Sequence, residues 1–218
     1  MAAGEHPTSD APSGRQRGTD QGDARGHKNV LVLDRFDRTS SPQGGVYRQQ
    51  LLSALTLLDL DDTEARLASC PALAEVLRRL VQDGAGDARQ LFRRVVFNVL
   101  LGNTADRAKN HAAFWDEQWL RLTPAFDLVP TMRIGLEAAQ AIIVGLAGRA
   151  ATLANALSEA GRFGLLPAEA RQIVDDVEST IEQHWKAEFV ECGVPEEHIT
   201  RLDGRAVLSP LARLRAIR

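Results

Sequence analysis

The sequence predicts a mainly α-helical domain of packed helices that carries one small β-hairpin and one short strand. Three observations lead there. Apolar residues recur at three- and four-residue intervals through Leu73, Val76, Leu77 and Leu80, and again through Leu91, Phe92, Val95 and Val99. They do so a third time through Ala170, Ile173, Val174, Val177, Ile181, Trp185 and Phe189; this spacing gives a helix one buried face. The period breaks after Gly102, where two short extended runs, HAAFW and LRLTPAFDLVP, flank the turn-like DEQ and read as a hairpin. The β-branched and aliphatic run Val30 to Phe36 reads as a strand.

From Ala2 to Asn29 there is no Val, Ile, Leu, Met or aromatic residue. Such a stretch buries too little to offset its ordering entropy, so residues 1–29 are expected to be a disordered tail. After the Val30 strand, TSSPQGG is a loop, and Leu51 to Leu58 is expected to be a short apolar helix. Pro71 opens the next helix and Gly84 follows its end. Asp87 is expected to cap the helix that runs to Gly102, with Arg89, Arg93 and Arg94 on a solvated face. An alanine-rich helix is expected near Ala150 to Ala160, then a long one from Pro167 to the stop at Gly193. Residues 209–218 are expected to be a basic C-terminal tail.

Composition narrows the classes of function. A net charge of −3 and a pI near 6.0 oppose a broad nucleic-acid-binding face, so no direct nucleic-acid binding is expected. Cys70 and Cys192 belong to no CxxC or His/Cys cluster, which leaves neither zinc spacing nor a disulfide framework and suggests two buried, reduced thiols. No apolar run approaches the roughly 18 residues of a membrane span, and no leader-like apolar segment opens the chain. A cytoplasmic protein is the expectation.

The residues that could carry chemistry lie in GNTADRAKNHAAFW and in LTPAFDLVP, where Asp127 follows Asn110 by seventeen positions. An Asn and an Asp presented from two loop ends suit magnesium, which prefers hard oxygen ligands. Phosphoryl transfer needs such a pair to hold the ion on the phosphates, and a carboxylate to orient the attacking hydroxyl. The residues alone favour the plainer reading, in which Asn110 ties down a loop and Asp127 caps a turn before Pro130. Arg107 and Lys109 are candidates for contact with phosphate, or ordinary solvated charges.

The segment FNVLLGNTADRAKNHAAFWDEQWLRLTPAFDLVP resembles the catalytic and metal-binding segment of HipA-like serine/threonine kinases, whose pattern is FNxLxGNTDDHxxN, a strand, then LxPxYDLxP. VLVLDRFDR resembles that family's hinge strand, LLSALTLLDLDD its SALTLLG segment, and the likeness continues through ATLANALSEAGRFGLLPAEA. It covers roughly residues 30–208. The resemblance implies a kinase-like C-terminal lobe over 30–208, with Asn110 and Asp127 as magnesium ligands and Asp34, Arg35 and Phe36 at the adenine hinge. It implies ATP and magnesium as cofactors, a protein hydroxyl as substrate, and an antitoxin with a helix-turn-helix domain as partner.

Two departures from the pattern matter. Ala105 stands where the family has its catalytic aspartate, and Arg107 where it has a histidine. Asp106 keeps the second acid and is the remaining catalytic candidate. No glycine-rich loop or strand lysine precedes the hinge-like strand, so these residues by themselves are expected to bind ATP weakly or not at all. Impaired catalysis is the expectation, and the alternative is a pseudokinase that binds without transfer. The unpaired hinge strand is expected to seek a separate small-lobe polypeptide or a second copy in a homodimer.

Overall fold

The computed structural model describes residues 17–23, 26–32, 34–40, 43–81, 83–133 and 137–215. Its contacts divide the chain into two compact units, residues 1–49 and 50–218.

The first unit is made of hairpins. β1 (Arg17–Asp23) pairs antiparallel with β2 (Gly26–Val32), Arg17 opposite Val32 and Asp23 opposite Gly26. β3 (Arg38–Ser40) pairs antiparallel with β4 (Val46–Arg48). Gly44 and Gly45 sit between these strands at φ +90° and +93°, a backbone region open to glycine at no steric cost. Two expectations change here. The predicted disordered tail lies outside the described residues as far as residue 16, whereas residues 17–23 and 26–29 lie in β1 and β2. The ladder between these strands is made by backbone N–H and C=O groups, which every residue but proline carries whatever its side chain. β2, which carries the start of the segment that resembles a hinge strand, therefore has one edge paired by β1 of its own chain.

The second unit begins at Gln50. β5 (Gln50–Ser53), β6 (Ala112–Trp115) and β7 (Leu120–Leu122) form an antiparallel sheet in that order, with Ser53 opposite Ala112 and Trp115 opposite Leu120. The predicted hairpin is β6–β7. The Leu51 to Leu58 helix is half strand: α1 spans only Ala54–Leu57, opened where the Ser53 hydroxyl accepts the Thr56 N–H. The apolar residues before it are recruited by the edge of β6, since period alone does not separate short apolar runs into strand and helix.

The mainly α character is as predicted. α2 (Cys70–Leu80) starts under the Ser69 cap with Pro71 in its first turn, and α3 (Gly84–Leu101) follows. The cap of α3 is Asp83, whose carboxylate accepts the Gly86 N–H at 3.0 Å. Asp87 instead reaches across to the Leu122 N–H at 2.7 Å and ties α3 to β7. α4 (Leu153–Ser158), α5 (Pro167–Glu191) and α6 (Glu196–Leu202) complete the unit. Leu73 and Leu77 of α2, Leu91 and Phe92 of α3, and Ile173 and Val174 of α5 meet in one core. Phe92 packs edge-on against Phe163 at 5.2 Å. Each such side chain contributes roughly 1.5–3 kcal/mol on full burial.

The C-terminal segment is docked as far as Arg215. The Ala212 and Leu214 carbonyls accept the Leu153 and Ala154 N–H groups at 2.7 and 2.6 Å, filling acceptors that the start of α4 would otherwise lack. Arg213 pairs with Glu178 and with Glu182 (2.6 Å), and Arg215 with Glu178 and with Asp175 (2.6 Å). The basic residues thus neutralise the acidic face of α5 and are not a free tail. Cys70 is buried as expected but Cys192, just past the end of α5, is exposed. Among the described residues no helix is long and apolar enough to cross a membrane.

Candidate metal and phosphate site

The candidate site grows from the C-terminal end of α3. Gly102 ends the helix at φ +76°, and a Cβ there would stand 2.5 Å from the Ala206 carbonyl oxygen, so the turn both needs glycine and presses on the chain beyond α6. Asn103 follows, buried, donating from Nδ2 to Asn98 Oδ1 at 3.2 Å. The loop is then stitched from outside: Thr131 N–H donates to the Gly102 carbonyl at 3.0 Å and Ala141 N–H to the Thr104 carbonyl at 3.1 Å. Its end is a 3-10 turn, Ala108–Asn110, leading into β6.

Within this loop neighbouring residues face opposite ways. Ala105 is exposed, whereas Asp106 is only 3% exposed. Its two carboxylate oxygens each lie 3.0 Å from His111 Nε2, and His111 is itself 2% exposed. The Asp106 charge is also felt by two buried groups. Burial pulls the Arg94 guanidinium down to about 10, against the opposing pull of Asp87 and Asp106. Burial, then the charge of Asp106, pushes the Cys70 thiol well up. Arg94, expected on a solvated face, donates to the Thr123 carbonyl, and Arg89 pairs with Glu169 at 2.5 Å. Sequence reasoning had no handle on these pairings, because a polar residue inside a helix pattern reads the same whether it faces water or a carbonyl.

Asn110 and Asp127 are brought together. Asn110 Nδ2 donates to Asp127 Oδ2 at 2.8 Å. Asp127 is exposed and takes φ +57°, a left-handed conformation that aspartate enters more readily than most residues. The pair offers hard oxygen donors only, on a surface open to phosphates and water, which is the donor chemistry magnesium takes when a nucleotide completes its shell. Among the described residues no group of three or more His, Cys, Asp or Glu gathers as a metal site, here or elsewhere.

Arg107 and Lys109 point elsewhere. With Arg66 and Arg149 they line a cleft of about 350 Å3 that neither Asn110 nor Asp127 lines. Lys109 pairs with Asp62 at 2.7 Å. Asp34, Arg35 and Phe36 belong to the first unit, where Arg35 donates to Asp37 through Nε and Nη2 at 2.7 and 2.6 Å and Arg38 joins at 2.8 Å. The Arg35 fork, with the charge of Arg38, holds the Asp37 carboxyl below its usual range. Arg35 is thereby committed to a neighbour in sequence.

Over residues 17–185 the chain matches the family model described as the HipA-like C-terminal domain, and it belongs to that family. The Sinorhizobium fredii (strain NBRC 101917 / NGR234) proteins named "Putative kinase Y4mE" and "Putative kinase Y4dM" are each 28% identical to it, over 106 and 116 residues. Those stretches are 47% and 53% of this chain but 25% and 27% of theirs, so the matched region spans about a quarter of these curated relatives. Among solved structures, a chain from the Shewanella oneidensis MR-1 toxin–antitoxin system HipA, HipB and operator DNA complex superposes with a TM-score of 0.68. That match is 17% identical and covers 87% of this chain and 48% of the other. It establishes a shared fold.

Proposed function

We propose that the second unit is the C-terminal lobe of a HipA-like kinase that retains the magnesium end of the site and lacks an effective general base. It would then serve as a nucleotide-responsive binding module. The observation that carries this reading is one loop with three outcomes: Asn110 against Asp127 at 2.8 Å, Ala105 turned to solvent, and Asp106 turned inward onto His111.

Asn110 Oδ1 and the Asp127 carboxylate would hold the ion. Magnesium, when bound, supplies charge neutralisation on the phosphates. Ala105 has no atom that can accept a proton from a substrate hydroxyl. Asp106 is committed to His111 and buried, so its carboxylate does not reach the solvent face where a hydroxyl would be presented. In this reading Asp106 holds the loop in shape, and transfer falls by the roughly 10²- to 10⁴-fold that a positioned base provides. Asp34, Arg35 and Phe36 are assigned to the adenine hinge on family resemblance.

The test is manganese as a paramagnetic stand-in for magnesium, added with ATP to the full-length polypeptide. Line broadening is expected at the amides around Asn110 and Asp127 and is expected to disappear in Asp127→Ala. γ-Phosphate transfer to protein is expected near background. Rapid transfer by the unaltered protein would overturn the reading, as would broadening that ignores Asp127.

A second reading, an antitoxin-binding module, is favoured by the fold shared with a chain solved in a complex with HipB and operator DNA. Its test is co-purification with a helix-turn-helix protein encoded beside it.

A further inference from the structure

We propose that the cleft between the 3-10 turn at Ala65–Leu67, the loop end at Arg107 to Lys109 and the turn carrying Arg149 recognises a phosphate monoester, at a place distinct from the metal pair. Arg66, Arg107, Lys109 and Arg149 line it, against one carboxylate, Asp62. Its floor includes Leu55 and Ala108. The volume, about 350 Å3, falls at the lower end of the roughly 300–1,000 Å3 typical of small-ligand pockets. A phosphorylated side chain or a free phosphate fits that scale; a nucleic-acid duplex does not.

The charges are arranged for an anion, because most of them are unspent. Lys109 is taken by Asp62. Arg149 donates to the Arg66 carbonyl at 2.6 Å, a bond that fixes its position without neutralising it. Arg107 is exposed and, among the described residues, has neither an ion pair nor a side-chain hydrogen bond. The nearby Asp61 accepts from the Thr63 hydroxyl and from the N–H groups of Thr63 and Glu64, and does not line the cleft. Three guanidinium groups that have no ion pair among the described residues therefore share one cleft, whose one carboxylate, Asp62, is held by Lys109. Guanidinium forks match phosphate oxygens two at a time, which groups without a carboxylate partner are free to do.

The cleft is also built rather than accidental. Its three segments are joined by backbone bonds: Ile143 N–H to the Ala68 carbonyl at 3.0 Å, Cys70 N–H to the Ile143 carbonyl at 2.9 Å, and Ala141 N–H to the Thr104 carbonyl at 3.1 Å. Arg107 and Lys109 sit in the loop between Ala105 and Asn110. A phosphate held there would clamp the loop that presents Asn110, without sharing a ligand with the ion.

The experiment uses the full-length polypeptide without magnesium or nucleotide, so that its failure is separable from failure of the metal pair. A phosphoserine peptide, its unphosphorylated twin and inorganic phosphate are titrated while Arg side-chain Nε–Hε resonances are followed by NMR. The phosphopeptide is expected to bind at least about tenfold more tightly than its twin, and Arg107→Gln to weaken it about tenfold or more. Arg149→Gln is expected to do the same; because it also removes the donor to the Arg66 carbonyl, the exposed Arg107 variant is the decisive one. If inorganic phosphate alone binds and is weakened by Arg107→Gln, the site stands and its ligand is free phosphate. Absence of binding by both phosphate sources, or binding indifferent to Arg107→Gln, overturns the proposal.

Discussion

His111 Nε2 lies 3.0 Å from both carboxylate oxygens of Asp106, five residues earlier, and neither side chain is more than 5% exposed. The pair closes the loop Gly102 to Asn110 on itself, so the direction in which Asn110 leaves the loop depends on a bond made underneath it. Removing one partner strands a buried polar group. Asp106→Ala is therefore expected to destabilise the protein by about 3 kcal/mol, read as a drop in the urea midpoint with unchanged slope. A midpoint within error of the unaltered protein would show that the pair does not hold the loop.

The turn before that loop makes a second prediction. Gly102→Ala combines a left-handed backbone, costing roughly 1–2 kcal/mol for a residue with a Cβ, with a methyl 2.5 Å from the Ala206 carbonyl oxygen. The neighbour is backbone and cannot rotate away. Destabilisation of at least about 2 kcal/mol is expected, and with it loss of manganese broadening at Asn110, since the loop would have to leave its seat. Gly204→Ala, with a similar φ of +68° but open space around it, is expected to cost less.

The thiols make a third. Cys70 is fully buried, and burial pushes its thiol well above the ordinary range, while Cys192 is exposed. An aromatic disulfide reagent is expected to titrate one thiol in the native protein and two in urea, the thiolate being the reactive form. Cys192→Ser should abolish the native reaction. Two fast equivalents in the native protein would contradict the burial of the α2 start.

Acid sensitivity makes a fourth. Glu169 accepts the Leu166 N–H at 2.8 Å at the start of α5 and pairs with Arg89; the N–H first, and Arg89 with it, hold its carboxyl below its usual range. A lowered folded-state pKa gives stability that is present above the unfolded pKa and is lost as pH falls through the folded one. The thermal midpoint is thus expected to fall as pH drops from about 5 to about 3, and to fall less steeply in Glu169→Gln, which keeps an acceptor but does not titrate. Equal slopes in the two proteins would remove Glu169 from the account.

How far the sequence carries the structure can be judged residue by residue. The stripes of α2, α3 and α5 and the β6–β7 hairpin are legible because periodicity is a local signal; the contact between Asn110 and Asp127 follows from the spacing of the motif that the segment resembles. Asp83 displaces Asp87 as the α3 cap for a reason outside local sequence: the Asp87 carboxylate finds the Leu122 N–H, 35 residues away. Arg213 and Arg215 read as a basic tail until the acidic face of α5 is folded opposite them. Arg66 and Arg149 meet 83 residues apart, and nothing in either neighbourhood announces the cleft they share with Arg107.

The base position gives the most direct test of what the loop has lost. Ala105 is exposed, so an aspartate there would keep its hydration and incur no burial penalty, unlike Asp106 beside it. Adjacent Cα atoms are about 3.8 Å apart, and a misplacement of roughly 1 Å can cost about a hundredfold, which is why the neighbouring acid does not substitute. Ala105→Asp in the full-length polypeptide is expected to raise γ-phosphate transfer by about 10² to 10⁴, a barrier change of roughly 3 to 5.5 kcal/mol. Ala105→Asn, which has similar shape but no proton-accepting carboxylate, is expected to stay at background. Transfer rates are to be measured with saturating magnesium–ATP, and manganese broadening at Asn110 is to be checked in each variant. If the ion still binds and Ala105→Asp gains nothing, the missing carboxylate is not what limits this protein, and the proposed function loses its central argument.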